Sequence, residues 1–297
     1  MTNFLLPNWI AEHQFTYDPA NPPQTLVREL RGRLSRFRSL DPEISIVIPA
    51  YNEEANLLNT LSSLAGQLSA CRIELIVVNN NSSDRTQELL DQCGVKSVTE
   101  RQPGVAYARQ AGLNAARGWF VANADADCLY PPGWVDAIVN PLRQPTVACT
   151  YGLYSFIPNE QASRIMLECY EQVSHTLNFI RSRSEPYLNV YGFNFAFRRD
   201  DALAIGGFAL DSGPVGSVAE LVAEGKMPAV SKKGEDGWMA LSLMREGKGT
   251  ICRVTSTKAH VWTSVRRLVA HGSLGDAFTD RLNRTVKGWA SGLLHRN

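Results

Sequence analysis

The 297-residue sequence lacks several patterns that mark particular classes of protein. Its six cysteines form no Cys-x-x-Cys pair, which argues against a zinc knuckle or a redox motif. No window approaches the ~20 apolar residues of a membrane span, and the N-terminus has no basic-then-apolar signal pattern. The net charge is only +1, so the composition does not indicate nucleic acid as a partner. We therefore expect a cytoplasmic protein with reduced thiols.

The sequence does contain enough apolar material for a core, and it is basic at both ends. Hydrophobic residues make up 44% of the chain, which is typical of a globular protein. From Gln24 to about Leu40, apolar residues recur every 3 or 4 positions while arginines take the other face, which predicts an amphipathic helix. A similar pattern over residues 281–293 predicts a basic C-terminal helix. For each helix two interpretations remain: packing on the domain, or peripheral contact with anionic lipid.

Residues 44–123 alternate apolar strands with helices. Crossovers of this length between consecutive strands are right-handed and produce a parallel sheet covered on both faces, so the fold class is α/β. The predicted strands are Ile44–Ala50, Ile73–Asn79, Val95–Thr99 and Trp119–Asn123, and the predicted helices are Glu53–Leu68, Arg85–Cys93 and Val105–Arg117.

Polar stretches follow three of these strands, at 49–53, 79–84 and 125–127. Ligands of parallel sheets bind outside the carboxyl ends of the strands, so one site can use all three stretches. Asp125 and Asp127 are two apart in an extended segment and are expected to point to the same side. Two carboxylates this close favour a hard divalent ion that carries phosphate oxygens. The alternative is a simple acidic turn after a strand.

Taken in order, these segments resemble family 2 glycosyltransferases, which have the A-type nucleotide-sugar-binding fold. The matching segments are Pro-Ala-Tyr-Asn-Glu at 49–53, Ile-Val-Val-Asn-Asn-Asn-Ser-Ser-Asp at 76–84, Gly-Val-Ala-Tyr-Ala-Arg-Gln-Ala-Gly at 104–112 and Asp-Ala-Asp at 125–127. Downstream, Gly192 to Arg199, the Gly-Gly-Phe at 206–208 and the Gly-Glu-Asp at 234–236 resemble the acceptor side of the family. The resemblance covers about residues 44–267 and implies a single Rossmann-like mixed, mainly parallel sheet flanked by helices.

The resemblance implies a role for each matching residue. Asp236 would be the catalytic base with Glu235 beside it, and Asp127, Asp125 and His260 would bind the metal. His260 enters because some members of this fold place a histidine about this far beyond the base. Residues implied in binding the nucleotide sugar are Pro49, Ala50, Tyr51, Glu53, Asn80, Arg109, Asp125, Asn194, Arg266 and Arg267.

The implied activity is metal-dependent transfer of a sugar from a nucleotide-diphosphate sugar to an acceptor hydroxyl, in glycan or polysaccharide biosynthesis. Displacing a diphosphate needs a cation such as Mn²⁺ or Mg²⁺ on the leaving group and a base near the acceptor. Only one base is evident, which suits inversion of the anomeric centre. The acceptor is a glycan, a lipid-linked glycan or a small molecule.

Two departures from the family pattern stand out. Relatives often carry Asp-Asp where this chain has Asn79 and Asn80. The asparagine amides remove the negative charge of the aspartates but keep an oxygen that can accept from a nucleobase N–H. The 208–234 segment is long and Gly/Pro-containing, and it is either a lid over the acceptor or a disordered loop. We divide the chain into an N-terminal extension (1–43), a catalytic domain (44–267, with halves 44–130 and 131–267) and a basic helical tail (268–297).

Other functions remain as alternatives. A nucleotidyltransferase also uses a doubly wound sheet and paired acids, but the sequence has no Gly-rich basic loop after its first strand. A non-catalytic nucleotide-sugar or carbohydrate-binding protein would not require Asp125, Asp127 and Asp236 together. A dinucleotide-binding dehydrogenase is disfavoured because no Gly-x-Gly-x-x-Gly follows the first strand.

Overall fold

The structure is a computed structural model that describes residues 6–183, 185–208 and 234–269. Its strands form a large central sheet and a small second sheet. They are β1 (Ile44–Ala50), β2 (Ile73–Asn79), β3 (Lys96–Thr99), β4 (Phe120–Asn123), β5 (Cys128–Leu129), β6 (Val147–Gly152), β7 (Tyr154–Ile157), β8 (Phe195–Arg198), β9 (Thr250–Val254) and β10 (Val261–Ser264).

The central sheet has the strand order β3-β2-β1-β4-β8-β6-β9. Strands β1 to β4 pair in parallel, and β6 pairs in parallel with β9. Strand β8 is antiparallel to both β4 and β6. The predicted fold class, a mixed and mainly parallel sheet flanked by helices, is confirmed. The sequence did not predict the second sheet, β5-β10-β7, which lies beyond the Asp-Ala-Asp segment.

Helices cover the sheet on both faces. They are α1 (Asn8–Ala11), α2 (Gln24–Leu34), α3 (Leu57–Ala65), α4 (Thr86–Cys93), α5 (Val105–Ala115), α6 (Trp134–Val139), α7 (Arg164–Arg181), α8 (Arg199–Ala204), α9 (Glu235–Arg245) and α10 (Arg266–Val269). Short 3-10 turns occur at Ser35–Phe37, Asn140–Arg143, Pro186–Asn189 and Thr257–Ala259.

Side-chain alternation along β1 separates two hydrophobic layers. Ile44, Ile46 and Ile48 face the layer that includes α2, α3 and α6, whereas Val47 faces the layer with α5 and α9. This is the period of two that an extended strand imposes. Because both faces are covered, β1 and β2 are buried along nearly their whole length, which explains why their sequences are continuous apolar runs.

Helix α3 begins four residues later than predicted, because the turn before it is tied to the loop after β2. Glu53 N–H donates to Thr86 Oγ1 (2.9 Å), and Glu54 N–H donates to Asp84 Oδ2 (3.0 Å). These side chains take N–H groups of the turn at Glu53 and Glu54, and the helix starts at Leu57. The two loops at the carboxyl ends of β1 and β2 are therefore one hydrogen-bonded unit.

Helix α2 buries its apolar face in the core. Val27, Leu30 and Leu34 are buried, and the helix contacts α3 and α4. Arg36 Nη2 donates to the carbonyl of Ala65 (3.1 Å). Of the two interpretations of this basic helix, packing is the one seen.

Some predictions fall outside the described residues. These are the lid or loop at 208–234, except for its two end residues, and the basic C-terminal tail, apart from residues 268–269. Within the described residues, no helix is long and apolar enough to cross a membrane.

Candidate active site

The loops after β1 and β2 form one side of the candidate site. Asn52 adopts a left-handed conformation (φ +54°), which a polar residue tolerates better than a bulky one. Its Oδ1 accepts from Ser83 N–H at 2.8 Å, and its own N–H donates to Ser82 Oγ at 3.1 Å. This arrangement leaves the Tyr51 side chain 62% exposed. The preceding Pro49 is half-buried and Ala50 is buried.

The Asn80 amide is engaged by the protein itself. Its Nδ2 donates to the carbonyls of Glu100 (3.0 Å) and Gln102 (2.7 Å), and its Oδ1 accepts from Gly104 N–H (2.8 Å). The residue is only 6% exposed. Asn80 therefore fastens the loop before α5 to the end of β2, and its contact with the donor stays a prediction. An aspartate could not donate these two bonds.

The Asp-Ala-Asp segment is a turn, because β4 ends at Asn123. Asp125 and Asp127 consequently bond to different arginines. Asp125 Oδ1 accepts from Arg109 Nη2 (2.8 Å), and Asp127 Oδ2 accepts from Arg266 Nη2 (3.1 Å). The expectation that the two residues lie in an extended strand is wrong, and each aspartate has its own guanidinium. Their convergence on one cation stays a prediction.

Arg109 on α5 joins carboxylates from the two halves of the chain. Its side chain is 2% exposed, and its Nε donates to Glu235 Oε1 (3.0 Å) while Nη2 binds Asp125. Burial by itself lowers the pKa of this guanidinium, but the carboxylates of Asp125, Glu235 and Asp236 outweigh burial and hold the pKa above its ordinary value. This guanidinium is enclosed by carboxylates, and its contact with a donor phosphate stays a prediction.

Asp236 lies in the first turn of α9, and backbone groups hold both of its oxygens. Oδ2 accepts from Gly192 N–H (2.6 Å), and Oδ1 accepts from Gly237 N–H (2.7 Å). Burial and the neighbouring Glu235 carboxylate raise the pKa of Asp236 to about 6, against the opposing effects of Arg109 and the two N–H groups. The carboxylate is therefore oriented, and it is mostly ionised at neutral pH.

Gly192 is required by the close approach of Arg109. A Cβ placed on Gly192 would lie 2.1 Å from Arg109 Nη2. Any larger residue would push the guanidinium away from its carboxylates, so Gly192 both supplies an N–H to Asp236 and leaves room for Arg109. The glycine was part of a recognised segment, but nothing in the sequence linked it to Arg109.

Arg266, at the start of α10, bonds two carboxylates at once. Its Nη2 reaches Glu53 Oε1 and Asp127 Oδ2. The carboxylates of Glu53 and Asp127 are 9% and 6% exposed, whereas the Arg266 side chain is 47% exposed. Asn56 Nδ2 donates to the other Glu53 oxygen (2.9 Å). The side chain of Arg267 lies outside the described part of the structure.

The groups around Arg266 fit a divalent cation. Glu53 and Asp127 supply hard carboxylate oxygens, and they already converge on one positive group. No three His, Cys, Asp or Glu side chains among the described residues form a metal-binding group. Magnesium is ordinarily held by one or two carboxylates together with substrate phosphates, which matches this pair.

His260 lies elsewhere. Ser264, the last residue of β10, donates its N–H to the Asp127 carbonyl (3.3 Å). His260 is four residues earlier in the chain, just before β10, and is therefore roughly 13 Å from Ser264 at the rise of an extended chain. Its Nε2 is 2.8 Å from Ser155 Oγ, and burial, together with the charges of His175 and Arg164, lowers its pKa to about 4. The structure does not bring His260 to the two aspartates.

Asn194 is engaged by the protein itself. It is 1% exposed, and its amide donates to the carbonyls of Leu153 and Ala259 (2.8 and 2.9 Å) while its oxygen accepts from Trp134 Nε1 (2.8 Å). The residue crosslinks the start of β8 to the segments around it, and its contact with the donor stays a prediction.

Comparisons with known proteins give the family of the chain. The model of Glycosyl transferase family 2 matches residues 45–206. The probable glycosyltransferase YdaM of Bacillus subtilis (strain 168) is 34% identical over 95 residues, which cover 30% of this chain and 22% of the relative. The putative glycosyltransferase EpsH of the same organism is 24% identical over 165 residues, 53% of this chain and 47% of the relative. The chain thus spans less than half the length of these relatives.

Among solved structures, this chain is similar to glucosyl-3-phosphoglycerate synthase from Mycobacterium tuberculosis in complex with phosphoglyceric acid. It is 19% identical to this chain, with a TM-score of 0.49, over 79% of this chain and 74% of that one.

Proposed function

This chain belongs to glycosyl transferase family 2, and on that premise we propose that it transfers a sugar from a nucleotide-diphosphate sugar to an acceptor hydroxyl. The transfer depends on a divalent cation, Mn²⁺ or Mg²⁺, and inverts the anomeric centre. The acceptor is a glycan, a lipid-linked glycan or a small molecule, which places the reaction in glycan or polysaccharide biosynthesis.

One observation carries this proposal: carboxylates from distant parts of the chain are gathered at the carboxyl edge of the parallel strands. Arg109 links Asp125 to Glu235, and Arg266 links Asp127 to Glu53. A purely structural ion-pair network has no reason to lie at the edge where ligands of such sheets bind. Displacement of a diphosphate by a hydroxyl needs carboxylates in two roles: some bind the cation, and one accepts the proton of the hydroxyl.

Asp127, with Glu53 and with Asp125 nearby, would hold the cation. When bound, the cation neutralises the diphosphate as it leaves the sugar. The turn at 49–53 presents Tyr51 to solvent beside this position, where the aromatic ring suits contact with the nucleoside. Arg266 and Arg267 follow β10 and supply guanidinium groups that match phosphate oxygens.

Asp236 would take the proton from the acceptor. As the acceptor oxygen bonds to the anomeric carbon, the bond from that carbon to the diphosphate oxygen breaks and the hydroxyl proton passes to the Asp236 carboxylate. With its pKa raised to about 6, this group is ionised at neutral pH yet basic enough to accept the proton. Glu235, held by Arg109, stays in place beside it.

A thermal-shift panel tests the proposal. Nucleoside diphosphates (UDP, GDP, ADP and CDP) are measured with Mn²⁺, with Mg²⁺ and with neither. We expect one base to be preferred and stabilisation to depend on the cation, with about 2.7 kcal/mol gained at a ligand concentration 100 times Kd. If no diphosphate stabilises the protein under any condition, the proposal fails. The corresponding triphosphates are measured beside them, and if they stabilise the protein more than the diphosphates do, nucleotidyl transfer is the better assignment.

A further inference from the structure

The role of Arg266 in binding phosphate does not explain why its guanidinium lies between two carboxylates. Its guanidinium bridges Glu53 and Asp127, residues that are 213 and 139 positions away in the chain. In the structure it therefore supplies the positive charge at the place where the two carboxylates would bind a divalent cation. A guanidinium and a divalent cation cannot share Asp127 at close range without strong repulsion.

The exposure of the three groups indicates which of them moves. The Glu53 and Asp127 carboxylates are at least nine-tenths buried, and Glu53 is also held by Asn56. Arg266 is 47% exposed and sits at the start of the four-residue helix α10. Water can solvate the half-exposed guanidinium once it leaves, whereas the two buried carboxylates then need another positive partner, which a divalent cation supplies. The carboxylates are fixed, and the guanidinium is the displaceable partner.

A displaced guanidinium would have a second use at the same place. A diphosphate bound through a cation on Asp127 brings oxygens close to Arg266, and a guanidinium forms charge-assisted, bidentate hydrogen bonds with phosphate. The cation alone would have to remove Arg266 without compensation. The cation together with the diphosphate would give Arg266 a new partner.

We propose that Arg266 is a positioning residue that holds the cation position between Asp127 and Glu53 until a divalent cation and a nucleoside diphosphate displace it together. This inference rests on the proposed function, because the diphosphate is the leaving group of the sugar donor. It makes binding of the two ligands interdependent: the cation binds weakly by itself and tightly with the nucleotide.

The test measures Mn²⁺ binding to the full chain from the electron paramagnetic resonance signal of free Mn²⁺, first with Mn²⁺ alone. The variants are Arg266→Gln, Arg266→Lys, which keeps a positive charge, and Asp127→Asn. Arg72→Gln is a matched control, because Arg72 also pairs with two carboxylates, Asp41 and Glu43, and is similarly exposed at 52%. Circular dichroism of each variant verifies folding.

Without nucleotide, Arg266→Gln should bind Mn²⁺ roughly 5- to 10-fold more tightly than the parent, the range of a modest coupling between sites. Arg266→Lys and Arg72→Gln should stay within about 2-fold of the parent, and Asp127→Asn should bind least. Repeated with UDP and with GDP, the tightening of Mn²⁺ binding by nucleotide should be smaller in Arg266→Gln than in the parent.

Equal or weaker Mn²⁺ binding by Arg266→Gln overturns the inference, and so does an equal gain from Arg72→Gln. These outcomes are separate from failure of the proposed function. If nucleotide tightens Mn²⁺ binding equally in the parent and in Arg266→Gln, the donor site stands and the role of Arg266 falls. If Arg266→Gln alone gains Mn²⁺ affinity but no nucleotide affects any variant, Arg266 guards a cation site that is not a donor site.

Discussion

The two arginine centres of the site use the same chemistry in opposite surroundings. Arg109 is 2% exposed and is enclosed by Asp125 and Glu235, whereas Arg266 is 47% exposed and bridges Glu53 and Asp127 from the solvent side. All four carboxylates are largely buried, so the two centres differ in how accessible the arginine is: water can solvate Arg266 when it leaves, but not Arg109. The Arg109 centre therefore fixes the site, and the Arg266 centre is able to change partners.

The largest effect is expected at the carboxylate next to the Arg109 centre. Asp236→Asn should lower turnover ~10²–10⁴-fold, the usual loss when a general base is removed, while nucleoside diphosphate binding changes little. In the parent, kcat/KM should rise with pH through about 6 as Asp236 loses its proton, and this limb should vanish in the variant. The measurement is a pH profile of donor turnover.

The hydrogen bonds of Asp236 mean that Asp236→Asn changes more than the proton acceptor, so a second variant is needed. Both Asp236 oxygens accept backbone N–H groups, and an asparagine amide can accept only one of them. A matched Glu235→Gln variant separates the two acids. If Asp236→Asn turns over at the parent rate and Glu235→Gln does not, the base is Glu235; if neither variant loses activity, the acceptor-side assignment is wrong.

The next effect breaks the Arg109 centre itself. Arg109→Met should destabilise the fold by about 3–5 kcal/mol, because the Asp125 and Glu235 carboxylates lose their buried partner. Urea unfolding followed by circular dichroism measures the change. A loss below about 1 kcal/mol would mean that water reaches these carboxylates and that the Arg109 centre is not the rigid one.

A smaller effect is expected where the chain has asparagine in place of the acids common in the family. Asn80→Asp removes the donors to the carbonyls of Glu100 and Gln102 and should cost about 1–3 kcal/mol. Asn79→Asp is the comparison variant: its oxygen would still accept from Ser82 N–H, and the change removes one side-chain donor bond, to Gln87 Oε1, where Asn80→Asp removes two. Equal stability of the two variants in urea would show that the Asn80 bonds are not needed.

The smallest stability effect is expected at Arg266. Arg266→Gln should lower the free energy of unfolding by about 1 kcal/mol, because water can enter the place of the half-exposed guanidinium and solvate Glu53 and Asp127. Differential scanning calorimetry of Arg266→Gln beside Arg109→Met compares the two centres directly. A loss as large as that of Arg109→Met would remove the distinction between a fixed and a displaceable arginine.

The sequence predicted the frame of the site better than its contacts. Strands β1 and β2 were placed to the residue, because both are buried on two faces and read as unbroken apolar runs. The start of α3 was placed too early because side chains from the next loop hold the turn at 53–54. Local pattern contains no information about a partner 30 residues away.

The same limit explains why the protein partners of the predicted site residues could not be read from the sequence. Asn194 and Arg109 lie in recognised segments, but residue type does not tell whether a side chain points to a ligand or into the protein. The Arg109–Glu235 pair spans 126 positions, and only the folded chain shows it. His260 was assigned by its distance from Asp236 along the chain, and strand register places it away from Asp127.

The central claim is that this edge of the sheet binds a cation and a nucleoside diphosphate through Asp127. The thermal shift of Asp127→Asn, measured against that of the parent, tests this claim most directly. Both proteins are heated with the preferred nucleoside diphosphate, with and without Mn²⁺. We expect nucleoside diphosphate to raise the Tm of the parent only when Mn²⁺ is present. Asp127→Asn should lose this Mn²⁺-dependent rise, while its Tm without ligand stays near that of the parent. Equal Mn²⁺-dependent stabilisation of the two proteins would contradict it and leave the Asp-Ala-Asp segment as an acidic turn.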